Sequence, residues 1–259
     1  MAHALDLSGV RAKLDRTNEQ AVFLDCQWRA FRDHADAYGV EFKADPEPYC
    51  YIVRLKVFKP VPLRLSVIFG EIIHNFRSAL DHLACRLVEA HGGTVKNQFF
   101  PIYDDPAKFA QEASGKLKGV PVSSAVWAVI KDSQPYKRGN AATDHPLSIV
   151  RHFSNGDKHR ILNAAYVFPD TANLIDAIDV RSGYLIHICD DLWRNTPLED
   201  GAEVVQLRFD TRGPQPDMQM KGPLPLDVAF GDGQGERGDI GAAHAHISNL
   251  AEACERALP

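Results

Sequence analysis

Apolar residues recur at three- and four-residue intervals through the first 160 residues of the chain. This spacing places them on one face of an α-helix and therefore predicts helices. The last of these helices is expected to begin with Asp144 as its N-cap and to end at Asn155-Gly156. The predicted helices cover residues 8–38, 63–91, 106–118, 121–132 and 144–154.

The pattern changes after residue 160, where segments rich in β-branched and aromatic residues are separated by turns containing Gly and Pro. An earlier strand is predicted over 49–58, and a helix over 240–258 closes the chain. The fold class is therefore predicted to be α+β, an N-terminal helical bundle followed by a β-rich C-terminal part and a closing helix. The later strands are predicted over 161–168, 184–189, 203–210 and 226–230.

No stretch of the chain has the composition of a linker. We therefore expect a single domain over residues 1–259, which is long enough to bury a hydrophobic core. The alternative is a helical part over 1–160 beside a β-rich part over 161–259.

Composition and charge restrict the partners of the protein. With 45% hydrophobic and 24% charged residues, the chain has the composition of a folded globular protein. Residues 1–168 carry 22 Lys and Arg against 18 Asp and Glu, whereas residues 169–259 carry 7 against 16. The acidic C-terminal part and the lack of any run of five basic residues argue against duplex DNA as a partner. The mildly basic N-terminal part is compatible with a phosphate-bearing ligand.

Cysteine usage and hydropathy predict the compartment. The chain has five cysteines and no C-x-x-C motif, which favours free thiols in a reducing environment. The N-terminus lacks the pattern of a secretory signal, and no apolar stretch is long enough to span a bilayer. These features predict a cytoplasmic protein with no membrane partner.

The polar face of helix 63–91 has an unusual composition. An ordinary solvent-exposed face is rich in Lys, Glu and Gln because these residues form helices well, but this face has no Lys and one Glu. It carries instead side chains that transfer protons, bind phosphate or ligate metals. They are Glu71, His74, Asn75, Arg77, Ser78, Asp81, His82 and Cys85. The opposite, apolar face comprises Ile72, Ile73, Phe76, Leu80, Leu83 and Leu87.

The segment 144–160 has a similar polar face. Five of the 11 histidines in the chain lie in 71–85 and 144–160. Because both helices must bury their apolar faces in a common core, we expect them to be neighbours with their polar faces around one cleft. The polar residues of the second segment are His145, Ser148, Arg151, His152, Asn155, Lys158, His159 and Arg160.

Many of these residues also have a purely structural explanation. Arg77 and Asp81 are four positions apart, the spacing of an ordinary ion pair on a helix. His74 and His82 are equally compatible with hydrogen-bonded histidines beside a neighbouring helix. The composition of the whole face, rather than any single residue, favours a functional site.

The first chemistry that this cluster suggests is metal-independent cleavage or binding of a phosphodiester, with RNA or a nucleotide as the ligand. His74 or His82 would act as the general base, and Arg77 would neutralise the phosphate. Asp81 would orient a histidine or hold Arg77. The other predicted site residues are the catalytic Asn155 and His159 and the ligand-binding Ser78, His152, Lys158 and Arg160.

The segment Arg77-Ser78-Ala79-Leu80-Asp81-His82 resembles the R-x4-H form of the motif of HEPN domains, which are helical ribonucleases and nucleotide-binding modules. The resemblance implies that Arg77 and His82 act as a catalytic pair on an RNA 2′-hydroxyl and phosphate. In that family the pair usually works at a dimer interface, so the resemblance also implies a homodimer. On ideal helix geometry the two side chains point about 140° apart, which a site composed from two copies would accommodate.

Four segments together also resemble a family of uncharacterised bacterial proteins. The resemblance covers most of residues 61–165 and implies no particular activity. The segments are GEIIHNFRSALDHLA at 70–84, FFPI at 99–102, HPL at 145–147 and SNGDKHR at 154–160.

Two alternative functions remain open at this point. Glu71 and His74 form an E-x-x-H pair of the kind used in carboxylate-bridged di-iron bundles, and Asp81, His152 and His159 would complete a site for Zn, Fe or Mn. In the other alternative the polar cluster is a hydrogen-bond network that joins helices in a non-catalytic interaction module. The phosphodiester hypothesis requires no cofactor.

Overall fold

A computed structural model describes residues 5–34, 37–157, 164–167, 176–189, 198–221, 226–231 and 235–258 of the chain. The predicted α+β class is confirmed, with helices in the N-terminal part, strands in the C-terminal part and a closing helix. No helix in the described part of the chain is both long and apolar enough to cross a membrane. The α-helices are α1 (Ser8–Arg32), α2 (Leu63–Ala90), α3 (Pro106–Lys116), α4 (Ala125–Asp132), α5 (Pro146–Asp157) and α6 (Arg237–Arg256).

The strands form small antiparallel sheets. One sheet has four strands in the order β1-β2-β6-β5, a second has the order β3-β8-β9, and β4 pairs with β7. The strands are β1 (Tyr38–Ala44), β2 (Cys50–Val57), β3 (Ala164–Val167), β4 (Ile178–Ser182), β5 (Leu185–Cys189), β6 (Glu203–Phe209), β7 (Asp217–Met220), β8 (Asp227–Phe230) and β9 (Gly235–Glu236).

The chain forms two compact units, neither of which is continuous in sequence. The first unit comprises residues 1–24, 67–162 and 237–259, and the second comprises 25–66 and 163–236. One boundary lies near the division at residue 160 that the sequence offered as its alternative. The second unit also takes in residues 25–66, because strand β2 pairs with β6 from the later part of the chain.

The core of the first unit forms around the apolar face of α2. The six apolar residues predicted for this face are all buried, and Phe69 of the same helix contacts Phe153 of α5 edge to face, with ring centroids 5.2 Å apart. Helices α2 and α5 are therefore neighbours, as their hydrophobic patterns predicted.

A chain of polar side chains joins α1 to α2 within this unit. Lys13 donates a hydrogen bond to Asn75 (3.0 Å), Asn75 donates to Gln20 (2.9 Å), and Gln20 donates to Glu71 (2.7 Å). Each link satisfies a group that would otherwise be costly to bury between the helices. Glu71 and Asn75, two members of the predicted polar cluster, thus connect helices.

The limits of α5 and α1 differ from those expected. Helix α5 begins at Pro146 rather than at Asp144, and His145 is its cap because the His145 Nδ1 accepts a hydrogen bond from the Leu147 amide at 3.1 Å. Proline fits the first turn of a helix because its missing N–H has no partner there. The helix also continues through Asn155-Gly156 to Asp157. Helix α1 ends at Arg32 rather than at residue 38, since Tyr38 already begins strand β1.

The second unit contains an aromatic cluster around Tyr166 of β3. The Tyr166 ring lies 5.6 Å from the ring of Tyr38 and 6.1 Å from that of Trp28, and its hydroxyl donates to the Lys59 carbonyl at 2.9 Å. Burial raises the pKa of Tyr166 to about 12. Aromatic packing thus connects the end of α1 to the first strands of the two larger sheets.

Candidate ligand-binding cleft

The first unit contains a cleft of about 490 Å³ beside helices α2, α3 and α5. Residues 99–103 of the extended segment 99–104 line it, and the segment is hydrogen-bonded to α2 and α5. Because all of its described lining comes from one compact unit, the cleft is a feature of that unit alone. It is lined by Arg77, Asp81, Phe99, Phe100, Pro101, Ile102, Tyr103, Lys108, Glu112, Lys116, Arg151, Ser154 and Asn155.

Arg77 and Asp81 hold the start of this segment through its backbone. The two side chains form a two-point ion pair on α2, with N–O distances of 2.7 and 3.2 Å. Asp81 also accepts a hydrogen bond from the Phe100 amide at 2.9 Å, and Arg77 donates to the Phe100 carbonyl at 3.0 Å. Because both backbone groups of Phe100 are bound, the ion pair fixes where the segment crosses α2.

The far end of the segment is held by α5. Asp104 accepts a hydrogen bond from Ser148 at 2.6 Å and forms an ion pair with Arg151, which also donates to the Ile102 carbonyl. Arg151 is therefore occupied by one carboxylate and one carbonyl, and its main role is to attach the segment to α5.

The middle of the segment is held by Gln134, whose side chain is fully buried. Its amide nitrogen donates to the carbonyls of Pro101 and Ile130, each at 3.0 Å, and its carbonyl oxygen accepts from the Tyr103 amide at 3.0 Å. An extended segment has few local hydrogen bonds, so these contacts replace the ladder that a sheet would provide.

Phe99 is the exposed apolar group of the cleft. Its side chain is 48% exposed, although the neighbouring Phe100 is buried. The Lys116 ammonium lies 6.0 Å from the centre of the Phe99 ring. The ammonium lies over this half-exposed ring, and an accessible aromatic ring with a cation nearby is suited to stacking a planar ring next to an anionic group.

One face of α3 contributes three charged side chains to the lining of the cleft. Lys108, Glu112 and Lys116 are spaced four residues apart, so they lie along the same side of the helix. The Tyr103 hydroxyl donates to Glu112 at 2.9 Å, and burial together with that carboxylate raises the pKa of Tyr103 to about 12.

The uncompensated positive charge of the cleft comes from the two lysines. Four basic and two acidic side chains line it. Arg77 and Arg151 are paired with carboxylates, whereas within the described part of the chain Lys108 and Lys116 form no ion pair. The free charges of the cleft therefore lie on α3, where the Glu112 carboxylate stands between the two lysines.

No protein-family model, curated protein or solved structure gives a significant match to this chain. The resemblances to HEPN domains and to a bacterial family stay predictions.

The structure brings together some of the residues that the sequence selected. Arg77 and Asp81 from α2 and Asn155 from α5 line the same cleft. His74, His82 and His152 are exposed and are not among its described lining residues. The polar faces of α2 and α5 thus both line this cleft. The groups that they contribute are the Arg77–Asp81 ion pair and the Asn155 side-chain amide, and not these histidines.

His82 lies against α1 instead. The position that a Cβ atom would take on Gly9 is 2.7 Å from the His82 Nδ1, so the imidazole covers this glycine. The half-exposed Ser78 is also not among the described lining residues. Arg77 and His82, the pair taken from the HEPN motif, therefore have different surroundings in one copy of the chain.

The carboxylates of the metal hypothesis have other hydrogen-bond partners, and its described residues are not grouped around one point. Glu71 accepts a hydrogen bond from Gln20, and Asp81 is engaged by Arg77 and the Phe100 amide. Among the described residues, no three His, Cys, Asp or Glu side chains are grouped so as to hold a metal ion. Lys158, His159 and Arg160, which the sequence also selected, lie outside the described residues.

His145 is a buried capping residue. Its imidazole is 5% exposed and lies 4.7 Å from that of His246 on α6, with the ring planes nearly perpendicular. Burial, the neighbouring His246 and Arg138 lower the pKa of His145 to about 4, against an opposing effect of Asp104. The neutral ring is the form that accepts the Leu147 hydrogen bond.

Sequence reasoning missed most of the groups on α3 and the segment before it. The i, i+4, i+8 spacing of Lys108, Glu112 and Lys116 was visible, but such charges are usually solvated. Phe99 was visible only as one of two adjacent phenylalanines. Which of the two is buried depends on the backbone contacts of Phe100 with Arg77 and Asp81.

Proposed function

We propose that this cleft binds a nucleotide, with the base stacked on Phe99 and a phosphate beside Lys116. The observation that carries the proposal is the exposed Phe99 ring with an unpaired lysine ammonium 6.0 Å from its centre, inside a cleft of about 490 Å³. A cleft of this volume lies within the range of about 300–1,000 Å³ that is usual for small-molecule sites.

The energetics favour an aromatic, anionic ligand. Stacking of a base on an aromatic side chain contributes about 1–3 kcal/mol, and it needs only an accessible ring face. A phosphate next to Lys116 would pair with a cation that has no carboxylate partner in the described structure. An uncharged aromatic ligand would leave that charge unused.

The base platform is held in place before the ligand arrives. The neighbouring Phe100 is tied to α2 by the Arg77–Asp81 pair, and the segment beyond it is held by Gln134 and by Arg151. Restricting a binding group in advance lowers the entropy cost of association. Arg77 thus acts as a positioning residue, and Lys116 takes over the phosphate contact that the sequence assigned to Arg77.

Binding is a better match to this geometry than cleavage by histidine. The described lining of the cleft includes no histidine, and its two carboxylates already accept hydrogen bonds from Arg77 and Tyr103. General base catalysis requires a proton acceptor within hydrogen-bond reach of the ligand. We therefore propose a nucleotide-binding role without assigning a cleavage step.

Calorimetric titration with uridine 5′-monophosphate and adenosine 5′-monophosphate in EDTA tests this function. We expect Phe99→Ala, which removes the stacking surface, and Lys116→Gln, which removes the cation beside the phosphate, each to weaken binding by about tenfold or more. Lys131→Gln and Phe58→Ala are matched controls, because both residues are exposed and neither is among the described lining residues.

Two results would overturn the proposal. Either the wild-type protein binds neither nucleotide at millimolar concentration, or Phe99→Ala and Lys116→Gln bind as tightly as the controls. Chromatography of the same mixtures after incubation, extended to a labelled single-stranded RNA, would reveal any cleavage.

A further inference from the structure

The two free lysines of the cleft are well separated along α3. Lys108 and Lys116 are eight residues apart on one face, which corresponds to about 12 Å along the helix axis. The Lys116 ammonium is already located beside the Phe99 ring. Lys108 therefore marks a second positive position, toward the N-terminal end of α3.

Glu112 divides these two positions. It lies midway between the lysines on the same face, and its carboxylate accepts a hydrogen bond from Tyr103. A single phosphate could contact both lysines only if their side chains bent over Glu112, whose negative charge repels a phosphate. The arrangement therefore offers two separate anion subsites rather than one patch.

We propose that Lys108 forms a second phosphate subsite, so that the preferred ligand is a short single-stranded oligonucleotide rather than a mononucleotide. This inference rests on the nucleotide-binding function proposed above. A stacked strand advances by about 3.4 Å per nucleotide, so the distance between the lysines matches about three to four nucleotide steps. The base on Phe99 places one end of the strand at Lys116, and the chain extends along α3 toward Lys108.

The backbone of the segment 99–104 has few groups left with which to distinguish bases. Along the segment 99–104, both backbone groups of Phe100, the Pro101 and Ile102 carbonyls and the Tyr103 amide are already hydrogen-bonded within the protein. Recognition by stacking and by phosphate contacts is tolerant of sequence, since every base has a flat face. We accordingly expect only a weak preference among bases.

Affinity as a function of ligand length tests the second subsite. The probes are uridine 5′-monophosphate and 5′-phosphorylated oligouridylates of two, four and six nucleotides, titrated in EDTA. We expect affinity to rise by at least tenfold from one to four nucleotides and then to level off. Lys108→Gln should remove most of the gain from one to four nucleotides, whereas Lys116→Gln should weaken binding of both the mononucleotide and the tetranucleotide.

Salt dependence provides an independent measure. Loss of one phosphate contact to a single strand lowers the slope of log affinity against log salt by about 0.7. We expect that reduction for the tetranucleotide with Lys108→Gln but not with the control Lys131→Gln. Lys108 and Lys131 are both exposed, so neither substitution should affect folding. Circular dichroism of each variant checks this.

The outcomes separate this inference from the proposed function. Equal affinity for one and four nucleotides, or a tetranucleotide affinity that Lys108→Gln leaves intact, overturns the second subsite while nucleotide binding stands. Failure of the wild-type protein to bind any of the four probes overturns the proposed function and the inference together.

Discussion

Acidification should destabilise the first unit through His145. This imidazole is buried, faces His246 at 4.7 Å and caps α5 by accepting a hydrogen bond from Leu147 at its Nδ1. Protonation turns that acceptor into a donor, so it breaks the cap. It also places a positive charge at the positive end of the helix dipole, next to Arg138. The neutral imidazole is therefore the form that supports the fold.

The sign and size of the effect follow from the lowered pKa. A histidine whose pKa falls from 6.5 in the unfolded chain to about 4 in the folded one stabilises the fold fully above pH 6.5. That contribution is lost progressively as the pH falls toward 4. At pH 5 the loss amounts to about 2 kcal/mol, and it approaches about 3 kcal/mol at lower pH. The pKa of His246 is also lowered by burial, which adds a loss in the same direction.

The substitution His145→Asn isolates this contribution. Asparagine is among the best N-cap residues, so it preserves the hydrogen bond to Leu147 without a group that titrates in this range. Urea unfolding, followed by circular dichroism at pH 7.5 and pH 5.0, gives the free energy of unfolding of each protein. We expect the wild-type protein to lose about 2 kcal/mol more than His145→Asn between the two pH values.

The control His145→Ala removes both the cap and the titration. It should be less stable than His145→Asn at pH 7.5 by about 1 kcal/mol, the usual contribution of an N-cap. If the wild-type protein and His145→Asn lose equal stability between pH 7.5 and pH 5.0, the assignment of His145 as a buried, neutral cap is refuted.

Three further predictions concern hydrogen bonds and packing in the first unit. Gln134→Leu should lower the free energy of unfolding by about 2–4 kcal/mol in urea titrations, because the Pro101 carbonyl and the Tyr103 amide lose their partner. A loss below about 1 kcal/mol would contradict this. Arg77→Lys should weaken binding of uridine monophosphate by about tenfold, because a lysine ammonium cannot bind both Asp81 and the Phe100 carbonyl as the guanidinium does. Unchanged affinity would show that the Arg77–Asp81 pair does not position Phe99. Gly9→Ala should stabilise the protein by about 0.5–1 kcal/mol in thermal unfolding, because the His82 ring is exposed and can move away from the added Cβ atom. A lower stability of Gly9→Ala would contradict this.

Hydrophobic periodicity was enough to predict α2 and the closing helix. The predicted range 63–91 ends one residue beyond the observed Leu63–Ala90, and its apolar face is the buried one. Repeated burial of one face leaves a strong pattern in the sequence because the helix turns every 3.6 residues.

Strand β1 was not predicted, for a reason that lies elsewhere in the chain. Tyr38–Ala44 is only partly buried, and it is a strand because all seven of its residues pair with β2. Pairing of this kind depends on the partner strand and on the turn between the two strands, so local propensity describes it poorly.

The candidate site shows the same limit. The sequence selected Arg77, Asp81 and Asn155, which line the cleft, together with His74 and His82, which are exposed elsewhere. All five lie on polar helix faces, and a sequence pattern describes which face is polar rather than what that face contacts.

By itself, the sequence determined the α+β class, the position and apolar face of α2 and the unusual polar composition of that helix. The tertiary structure decided that Phe99 and Lys116 lie together beside Arg77. The reason is that an extended segment has no periodicity of its own. Its path depends on hydrogen bonds to distant side chains, here those of Asp81, Gln134 and Arg151.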